Sequence, residues 1–385
     1  MRRLHLFAIF FLIAVPQLCH AQTSAMAQSY LSRGNARYAG GDLDGAIADF
    51  EAALAFDSRL APAYVSRGNA RSRKKDLLGA MNDFNAAIQV DPRFANAYNS
   101  RGLAHQALGD RAAAIADFDR ALEIQPRFAD AFFNRANVRT ANRELDAAIG
   151  DYTRAIAINP RFAHAYVNRA AVRCEKGDLD GAIADGSKAL KLDPRLAEAY
   201  VNRGSAWFRK GNLPAALDDF TRATEINPLD VEAHYNLGNV LSQQNKLLDA
   251  IAHYDKALQI NPDLAVAYLS RGNARSDSRD LAGAISDFTR AIELDPGVAT
   301  AYNNRGNARL AKGDREGALS DYNKALEIDP RHSLAYANRG LLWLLQGNNA
   351  EAEADFGRAI ETAGPLSDSI AQQIKRMKQY VAARR

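Results

Sequence analysis

The hydrophobic positions of this chain recur with a period of 34 residues. Places are counted from the first residue of each 34-residue unit, the first unit starting at residue 27. A helix-ending proline recurs at the same place in eight successive units, and alanine fills both the twentieth and the twenty-seventh place in each of ten units. An aromatic residue fills the twenty-fourth place in nine units. Places twenty, twenty-four and twenty-seven are separated by four and three residues, so they share one helix face. The prolines are Pro92, Pro126, Pro160, Pro194, Pro228, Pro262, Pro296 and Pro330.

The first half of each unit has a helical pattern of its own. Tyrosine or phenylalanine stands at place four in nine units, and glycine stands at place eight in eight units. Glycine inside a helix costs about 1 kcal/mol relative to alanine, so its recurrence predicts a close backbone contact. Turn signals such as Gly109-Asp110 separate the two halves. Each unit is therefore predicted to be a helical hairpin.

The frame predicts ten hairpins over residues 27–366, with residues 22–26 as a short linker. We expect residues 367–385 to form a capping helix over the last hairpin, since its apolar residues lie on one face. A helix on a membrane surface is the alternative for this segment, although its apolar face is narrow and lacks Trp and Phe. The units start at residues 27, 61, 95, 129, 163, 197, 231, 265, 299 and 333.

Taken together, the recurring places resemble the tetratricopeptide repeat (TPR) family over residues 27–366. The resemblance implies an all-α fold, a right-handed α-solenoid of ten 34-residue hairpins whose first helices line a concave groove. The chain departs from the family at places seven and eleven, where the family usually has Leu and Tyr and this sequence usually has Arg. Family members that grip a C-terminal carboxylate use Lys or Arg at places two, five and six; no unit here has either residue there.

Place seven is Arg in nine units and place twenty-three is Asp in nine, and both are lost in the same unit, which has Leu237 and His253 instead. We therefore predict an Arg–Asp ion pair between the two helices of each hairpin, with the Arg found at place eleven in six units as a second donor. The alternative is a basic stripe that binds phosphate or another acidic ligand. The representative predicted pairs are Arg135 with Asp151, Arg169 with Asp185, and Arg203 with Asp219.

Place six is always Asn or Ser, and place nine is Asn in six units. Carboxamides both donate and accept hydrogen bonds, which suits an extended peptide backbone. Neighbouring helices lie about 8–10 Å apart, close to the rise of three extended residues. We predict a peptide-binding groove, the alternative being a solvated helix face. Its residues are Asn35, Asn69, Asn134, Asn137, Asn168, Asn202, Asn236, Asn239, Asn273, Asn304, Asn307 and Asn338, with Phe133 and Tyr235 as apolar neighbours.

The N-terminus has the pattern of a cleavable signal peptide over residues 1–21. Arg2 and Arg3 precede an apolar run too short to span a bilayer, and a small-residue exit ends at Ala21. We expect export to a bacterial periplasm or to the medium, without membrane insertion after cleavage; an uncleaved anchor is the alternative. Cleavage would leave Cys174 as the sole cysteine, so no internal disulfide could form.

The charge balance, 49 Lys+Arg against 45 Asp+Glu, is too even to attract nucleic acid by bulk field. The histidines show no metal-ligand spacing except that His234 and His253 share the seventh unit, and one pair is too few for a metal site. The chain has neither a glycine-rich phosphate loop nor a nucleophile elbow. We predict a protein that is not an enzyme, with no cofactor and no metal.

These observations favour an exported scaffold that binds an extended peptide or protein segment in its Asn-lined groove. A structural component of an envelope complex, assembled through the outer face or the ends, is one alternative. A polyanion or glycan binder is another. Self-association is compatible with each of these hypotheses.

Overall fold

The computed structural model describes residues 22–383, which form 21 α-helices and one short 3₁₀ helix, Gly364–Leu366, with no strand in that range. The first helices of the hairpins are α1 (22–39), α3 (Ala61–Arg73), α5 (Ala95–Ala107), α7 (Ala129–Ala141), α9 (Ala163–Lys176), α11 (Ala197–Arg209), α13 (Val231–Gln243), α15 (Ala265–Asp277), α17 (Ala299–Ala311) and α19 (Ser333–Gln346). The second helices are α2 (Leu43–Phe56), α4 (Leu77–Val90), α6 (Arg111–Ile124), α8 (Leu145–Ile158), α10 (Leu179–Leu192), α12 (Leu213–Ile226), α14 (Leu247–Ile260), α16 (Leu281–Leu294), α18 (Arg315–Ile328) and α20 (Asn349–Thr362). The all-α hairpin fold expected from the periodicity is confirmed.

The turn inside each hairpin follows from local chemistry. Gly109 ends its helix with a φ of 83°, a left-handed conformation that glycine adopts without a steric penalty. Asp110 then caps α6, its Oδ1 accepting a hydrogen bond of 3.0 Å from the Ala113 N–H. Capping aspartates also begin α2, α4, α16 and α18, where Asp42, Asp76, Asp280 and Asp314 accept from the N–H three residues later.

The glycine at place eight meets a ring rather than backbone. A Cβ on Gly102 would lie 2.7 Å from Phe118 Cε1, and one on Gly68 would lie 2.5 Å from Phe84 Cε1. The expectation of a backbone contact is therefore corrected: the aromatic side chain at place twenty-four lies directly over the glycine. These rings are fully buried, and the alanines at places twenty and twenty-seven pack beside them.

Residues 22–26 are helical and continue into α1, so the expected short linker is not seen. This segment contains no Pro or Gly that would stop a helix growing backward from the first hairpin. The predicted signal peptide, residues 1–21, lies outside the described residues. None of the described helices is both long enough and apolar enough to cross a bilayer.

The chain divides after Leu192 into two compact bodies of five repeats each. These two bodies are called the first and the second unit from here on, and each 34-residue hairpin is called a repeat. The first unit holds α1 to α10, and the second holds α11 to α20 with the C-terminal helix α21 (Ser367–Ala382). Within the second unit, α21 packs on α19 and α20 and buries Ile370, Ile374 and Val381. The predicted capping helix is thus present, with its apolar face turned to the last hairpin.

Candidate functional site

The Arg–Asp pairs join the two helices of a hairpin through two parallel hydrogen bonds. Arg135 donates from Nε to Asp151 Oδ2 at 2.8 Å and from Nη2 to Oδ1 at 2.6 Å. Arg169 and Asp185 are paired in the same way at 2.8 and 2.7 Å. The pattern recurs in every repeat that has both residues. The other pairs are Arg33–Asp49, Arg67–Asp83, Arg101–Asp117, Arg203–Asp219, Arg271–Asp287, Arg305–Asp321 and Arg339–Asp355. The aspartates are buried, and such forked charge-assisted bonds are among the strongest in proteins.

The arginine at place eleven binds the same carboxylate. Arg139 Nη1 lies 2.8 Å from Asp151 Oδ2, and Arg173 Nη1 lies 2.9 Å from Asp185 Oδ2. The second guanidinium is therefore an additional donor, as the sequence predicted. The pairing also affects titration: in the first hairpin, the hydrogen bonds from Arg33 hold the pKa of Asp49 below its usual range.

A third contact of the place-seven arginine joins neighbouring repeats and was missed from the sequence. Arg101 Nη1 donates to Asn85 Oδ1 at 2.8 Å, and Arg169 Nη1 donates to Thr153 Oγ1 at 2.8 Å. Both acceptors stand at place twenty-five of the preceding repeat. A signal existed: place twenty-five is Glu, Asn, Asp, Thr or Ser in every repeat that precedes one with this arginine.

The same guanidinium also covers the ring at place four. Arg101 Cζ lies 5.5 Å from the centre of the Tyr98 ring, and Arg135 Cζ lies 5.5 Å from that of Phe132. Arg101 and Arg135 are thus each held by a carboxylate, an acceptor on the preceding repeat and an aromatic face. The arginine stripe consists of paired cations rather than cations available to an acidic ligand.

The seventh repeat replaces this arrangement with two histidines. His234 and His253 face each other with their Nδ1 atoms 3.1 Å apart, and His234 Nε2 lies 3.1 Å from the carbonyl oxygen of Pro228. Because a carbonyl only accepts, Nε2 carries the proton on His234. Burial, together with the neighbouring His234, lowers the pKa of His253 to about 4. Within residues 22–383, no group of three metal-ligating side chains is present.

We call places two, five, six and nine of the first helices the amide face. Many of its carboxamides bond to each other across repeats. In the first unit, Asn134 Nδ2 donates to Asn99 Oδ1 at 3.0 Å, and Asn168 Nδ2 donates to Asn137 Oδ1 at 2.9 Å. The second unit repeats both types of contact, in Asn338 to Asn303 and Asn304 to Asn273, each at 2.9 Å. Stacking of repeats is thus one cause of the Asn recurrence, and Asn99 and Asn303 belong to the set although the sequence analysis omitted them.

Tyrosines at place twenty-four donate hydrogen bonds to three of the place-nine amides. Tyr152 donates its hydroxyl to Asn137 Oδ1 at 2.7 Å. Tyr254 and Tyr322 make the same contact, at 2.8 Å each, to Asn239 and Asn307. Every repeat with Tyr at place twenty-four has Asn at place nine, which is the signal that the sequence contained. These bonds use the amide oxygen as acceptor, so the Nδ2 group of each of the three amides remains available as a donor.

The remaining predicted groove residues are placed less uniformly. Asn35 is exposed, whereas Asn69, Asn202 and Asn236 are half-buried. Phe133 is half-buried, with its ring 4.7 Å from that of Phe162 and 5.9 Å from that of Tyr152. Tyr235 packs in a similar way, 6.1 Å from the ring of Tyr254. The two aromatic residues therefore help to build the repeat core as well as its surface.

Each unit has an open pocket on its amide face. The pocket of the first unit, about 350 Å³ in volume, is lined by the amides of Asn69, Asn96 and Asn99 and by the apolar side chains of Val65, Phe94 and Phe128, with Asp130 at its edge. The pocket of the second unit has a similar volume, about 350 Å³, and is lined by Asn273, Ser276, Asp277, Phe288, Asn304 and Asn307. A mixture of apolar walls and a few polar groups is typical of binding sites.

Comparison with known families agrees with this geometry. Profiles described as tetratricopeptide repeat match residues 95–128, 231–264, 265–297 and 299–332, and a profile described as TPR repeat matches 34–75, 73–109, 171–211 and 204–245. The chain belongs to the TPR family. A search of curated proteins found no significant match.

Solved TPR structures resemble the chain at several levels of identity. YrrB, described as a TPR protein with an unusual peptide-binding site, is 32% identical over 48% of this chain and 95% of its own, with a TM-score of 0.43. Cut9, in the APC/C heterotetramer Cut9–Hcn1, is 16% identical over 82% of this chain and 76% of its own, with a TM-score of 0.55. pilF of Pseudomonas aeruginosa is 21% identical over 56% of this chain and 97% of its own, with a TM-score of 0.50. The last two likenesses concern the TPR fold alone.

Proposed function

We propose that this TPR protein is a non-catalytic scaffold that binds an extended peptide or protein segment along its amide face. The observation that carries the proposal is the pocket of the first unit, where Asn69 and Asn96 stand beside apolar walls. Neither amide is engaged by another group among residues 22–383. Both are therefore available to a backbone that enters the pocket.

The fourth repeat also offers both an acceptor and a donor on this face. In the fourth repeat, the bonds described above leave Asn134 with its Oδ1 and Asn137 with its Nδ2 for a ligand. An extended peptide backbone offers N–H and C=O groups in alternation, so the pattern suits main-chain recognition that does not depend on ligand sequence. Binding of a polyanion is disfavoured because the guanidinium groups already have carboxylate partners.

The test is a selection of random-sequence peptides on the immobilised protein, followed by fluorescence polarisation with the peptides recovered. The double change Asn69→Ala with Asn96→Ala removes two amides that make no internal hydrogen bond, so the fold should be unchanged. We expect about tenfold weaker binding, the loss associated with two hydrogen bonds. Gln125→Ala, which removes an exposed amide from a loop outside the amide face, should leave the affinity unchanged.

Equal binding by the double variant and the native protein would overturn the proposal. Light scattering on the same samples distinguishes the alternative of an assembly role. Self-association that persists in the double variant, without peptide binding by either protein, would favour assembly through the outer face or the ends.

We also propose that the protein is exported, on the strength of the N-terminal pattern. The expected result is a mature chain that begins at Gln22, detected by N-terminal sequencing of the protein from its native cell envelope or medium. A chain that retains residues 1–21 would contradict cleavage and support the anchor alternative.

A further inference from the structure

Asp130 is a carboxylate without a partner at the edge of the first unit's pocket. It is exposed in the first turn of α7, and among residues 22–383 no group donates a hydrogen bond to it. Other exposed carboxylates of the same unit are engaged: Asp44 binds Lys74, and Asp146 binds Lys176. Asp130 therefore has its full capacity left for a ligand.

At places two, five and six of the amide face, every Asp, Glu, Lys or Arg that occurs is acidic. At places two, five and six no repeat has Lys or Arg, whereas place two is acidic at Asp130 in the first unit and at Glu198 and Glu232 in the second. A peptide that lies along this face meets carboxylates and neutral amides. Basic side chains would gain from that field, and acidic ones would be repelled.

The rings of the pocket complete a site for a cation. Phe94 and Phe128 line the same pocket as Asp130, and both are half-buried. The chain itself shows how such groups hold a guanidinium: Arg135 Cζ lies 5.5 Å from the Phe132 ring while its nitrogens bind Asp151. In the pocket, the rings and the carboxylate are present and the cation must come from outside.

We propose that this pocket selects a Lys or Arg side chain of the bound peptide, with Asp130 as the counter-charge and Phe94 and Phe128 as walls for the aliphatic stem. The site thus takes a basic extended peptide, in contrast to the C-terminal carboxylate that Lys or Arg at places two, five and six would grip. This inference rests on the proposed function, because it concerns the ligand of the same face.

The experiment uses fluorescein-labelled peptides of one neutral Ser/Val/Asn sequence that carry Lys, Arg, norleucine or Glu at a single central position. At low salt, we expect the native protein to bind the Lys and Arg peptides about fivefold more tightly than the norleucine peptide, with the Glu peptide weakest. The preference should decline as salt is added.

Asp130→Asn should reduce the Lys-to-norleucine ratio to about one while the norleucine peptide binds as before. Asp130→Glu should retain most of the preference. Asp146→Asn is the charge control: it removes the same charge from the first turn of the next helix, outside the pocket. It also breaks the ion pair with Lys176, but it should leave the ratio unchanged.

A Lys preference that survives Asp130→Asn, or equal affinities for all four peptides, would overturn this inference and leave the scaffold function standing. If none of the four peptides binds and the peptide selection also recovers none, both proposals are wrong.

Discussion

At the residue scale, the glycine at place eight shows how tightly the repeat is packed. Its hydrogen faces the ring at place twenty-four in all eight repeats that have it. The fifth repeat is consistent with this, because it has Ala170 at place eight and Gly186 where the ring would stand. The small residue and the large ring are therefore two halves of one contact.

Gly102→Ala is expected to destabilise the protein. The new Cβ would lie 2.7 Å from Phe118 Cε1, so the ring must move. Such overpacking costs about 1–3 kcal/mol, which outweighs the gain in helix propensity of about 1 kcal/mol. Chemical denaturation followed by circular dichroism measures the difference.

Gly150→Ala is the control for this change. Gly150 lies inside α8, and a Cβ there would have nothing within 4 Å. This substitution should therefore stabilise the protein by about 0.4–1 kcal/mol. If the two variants shift the denaturation midpoint in the same direction, the ring contact does not explain the glycine.

At the element scale, every hairpin except the seventh is closed by an Arg–Asp ion pair, and several of these arginines also reach the repeat before them. The last repeat offers the simplest example, since Arg339 binds Asp355 at 2.7 Å and Asn323 at 2.7 Å while Trp343 replaces the second arginine. A buried pair of this kind is costly to break from one side only. The native Leu237 shows that a hydrophobic residue is also accepted at place seven.

Arg339→Leu alone is expected to cost about 3–5 kcal/mol, because Asp355 would stay buried without a cation. Adding Asp355→Leu removes that charge, so the double variant should be more stable than the single one. Guanidinium unfolding midpoints compare the two proteins. A double variant that is no more stable than Arg339→Leu would reject the pairing as the main interaction of these residues.

The seventh hairpin is expected to be sensitive to acid. The folded-state pKa of His253, about 4, lies below its ordinary value of 6.5, so the unfolded chain takes up the proton first. The hairpin therefore loses stability as the pH falls from about 6.5 towards 4. Lys256 adds to this effect, whereas Asp230 and Asp249 oppose it.

Thermal midpoints between pH 7 and pH 4 test this sensitivity. The triple change His234→Tyr, Leu237→Arg and His253→Asp restores the residues of the other repeats and should flatten the midpoint from pH 6.5 to about pH 4.5. If the native and the triple variant lose stability in parallel, the histidine pair is not responsible.

At the scale of the whole molecule, a linear array needs a cover for its last repeat. In the second unit, α21 covers the final hairpin, and Lys378 reaches Glu353 at 2.6 Å and the ring of Phe356. The apolar face of this helix is therefore occupied by its own chain, which leaves the membrane-surface interpretation without a free surface.

Ile374→Ala is expected to loosen this cover by about 2–4 kcal/mol, since Ile374 is 4% exposed and packs in the core of the last hairpin. Gln373→Ala, at an exposed neighbouring position, should have almost no effect. Hydrogen exchange of α19 to α21 is the appropriate measurement, because repeat arrays often unfold in more than one step. Equal protection in both variants would contradict the capping role.

The sequence by itself determined the contacts that recur inside one repeat. A 34-residue period repeats each internal contact in nine or ten repeats, so the alanine face, the buried ring and the Arg–Asp pair all appear as fixed spacings. The joint loss of Arg and Asp in the seventh repeat even identified the partners. The export signal, by contrast, rests on the sequence alone.

Only the tertiary structure decided the contacts between side chains of neighbouring repeats. The Asn134–Asn99 bond, the Arg101–Asn85 bond and the tyrosine behind Asn137 depend on how far one helix is displaced from the next, which a periodic spacing does not specify. The glycine was assigned to backbone contact for the same reason. Some amides of the amide face are therefore hydrogen-bonded to each other. The pocket beside Asp130 is formed by residues of three successive repeats.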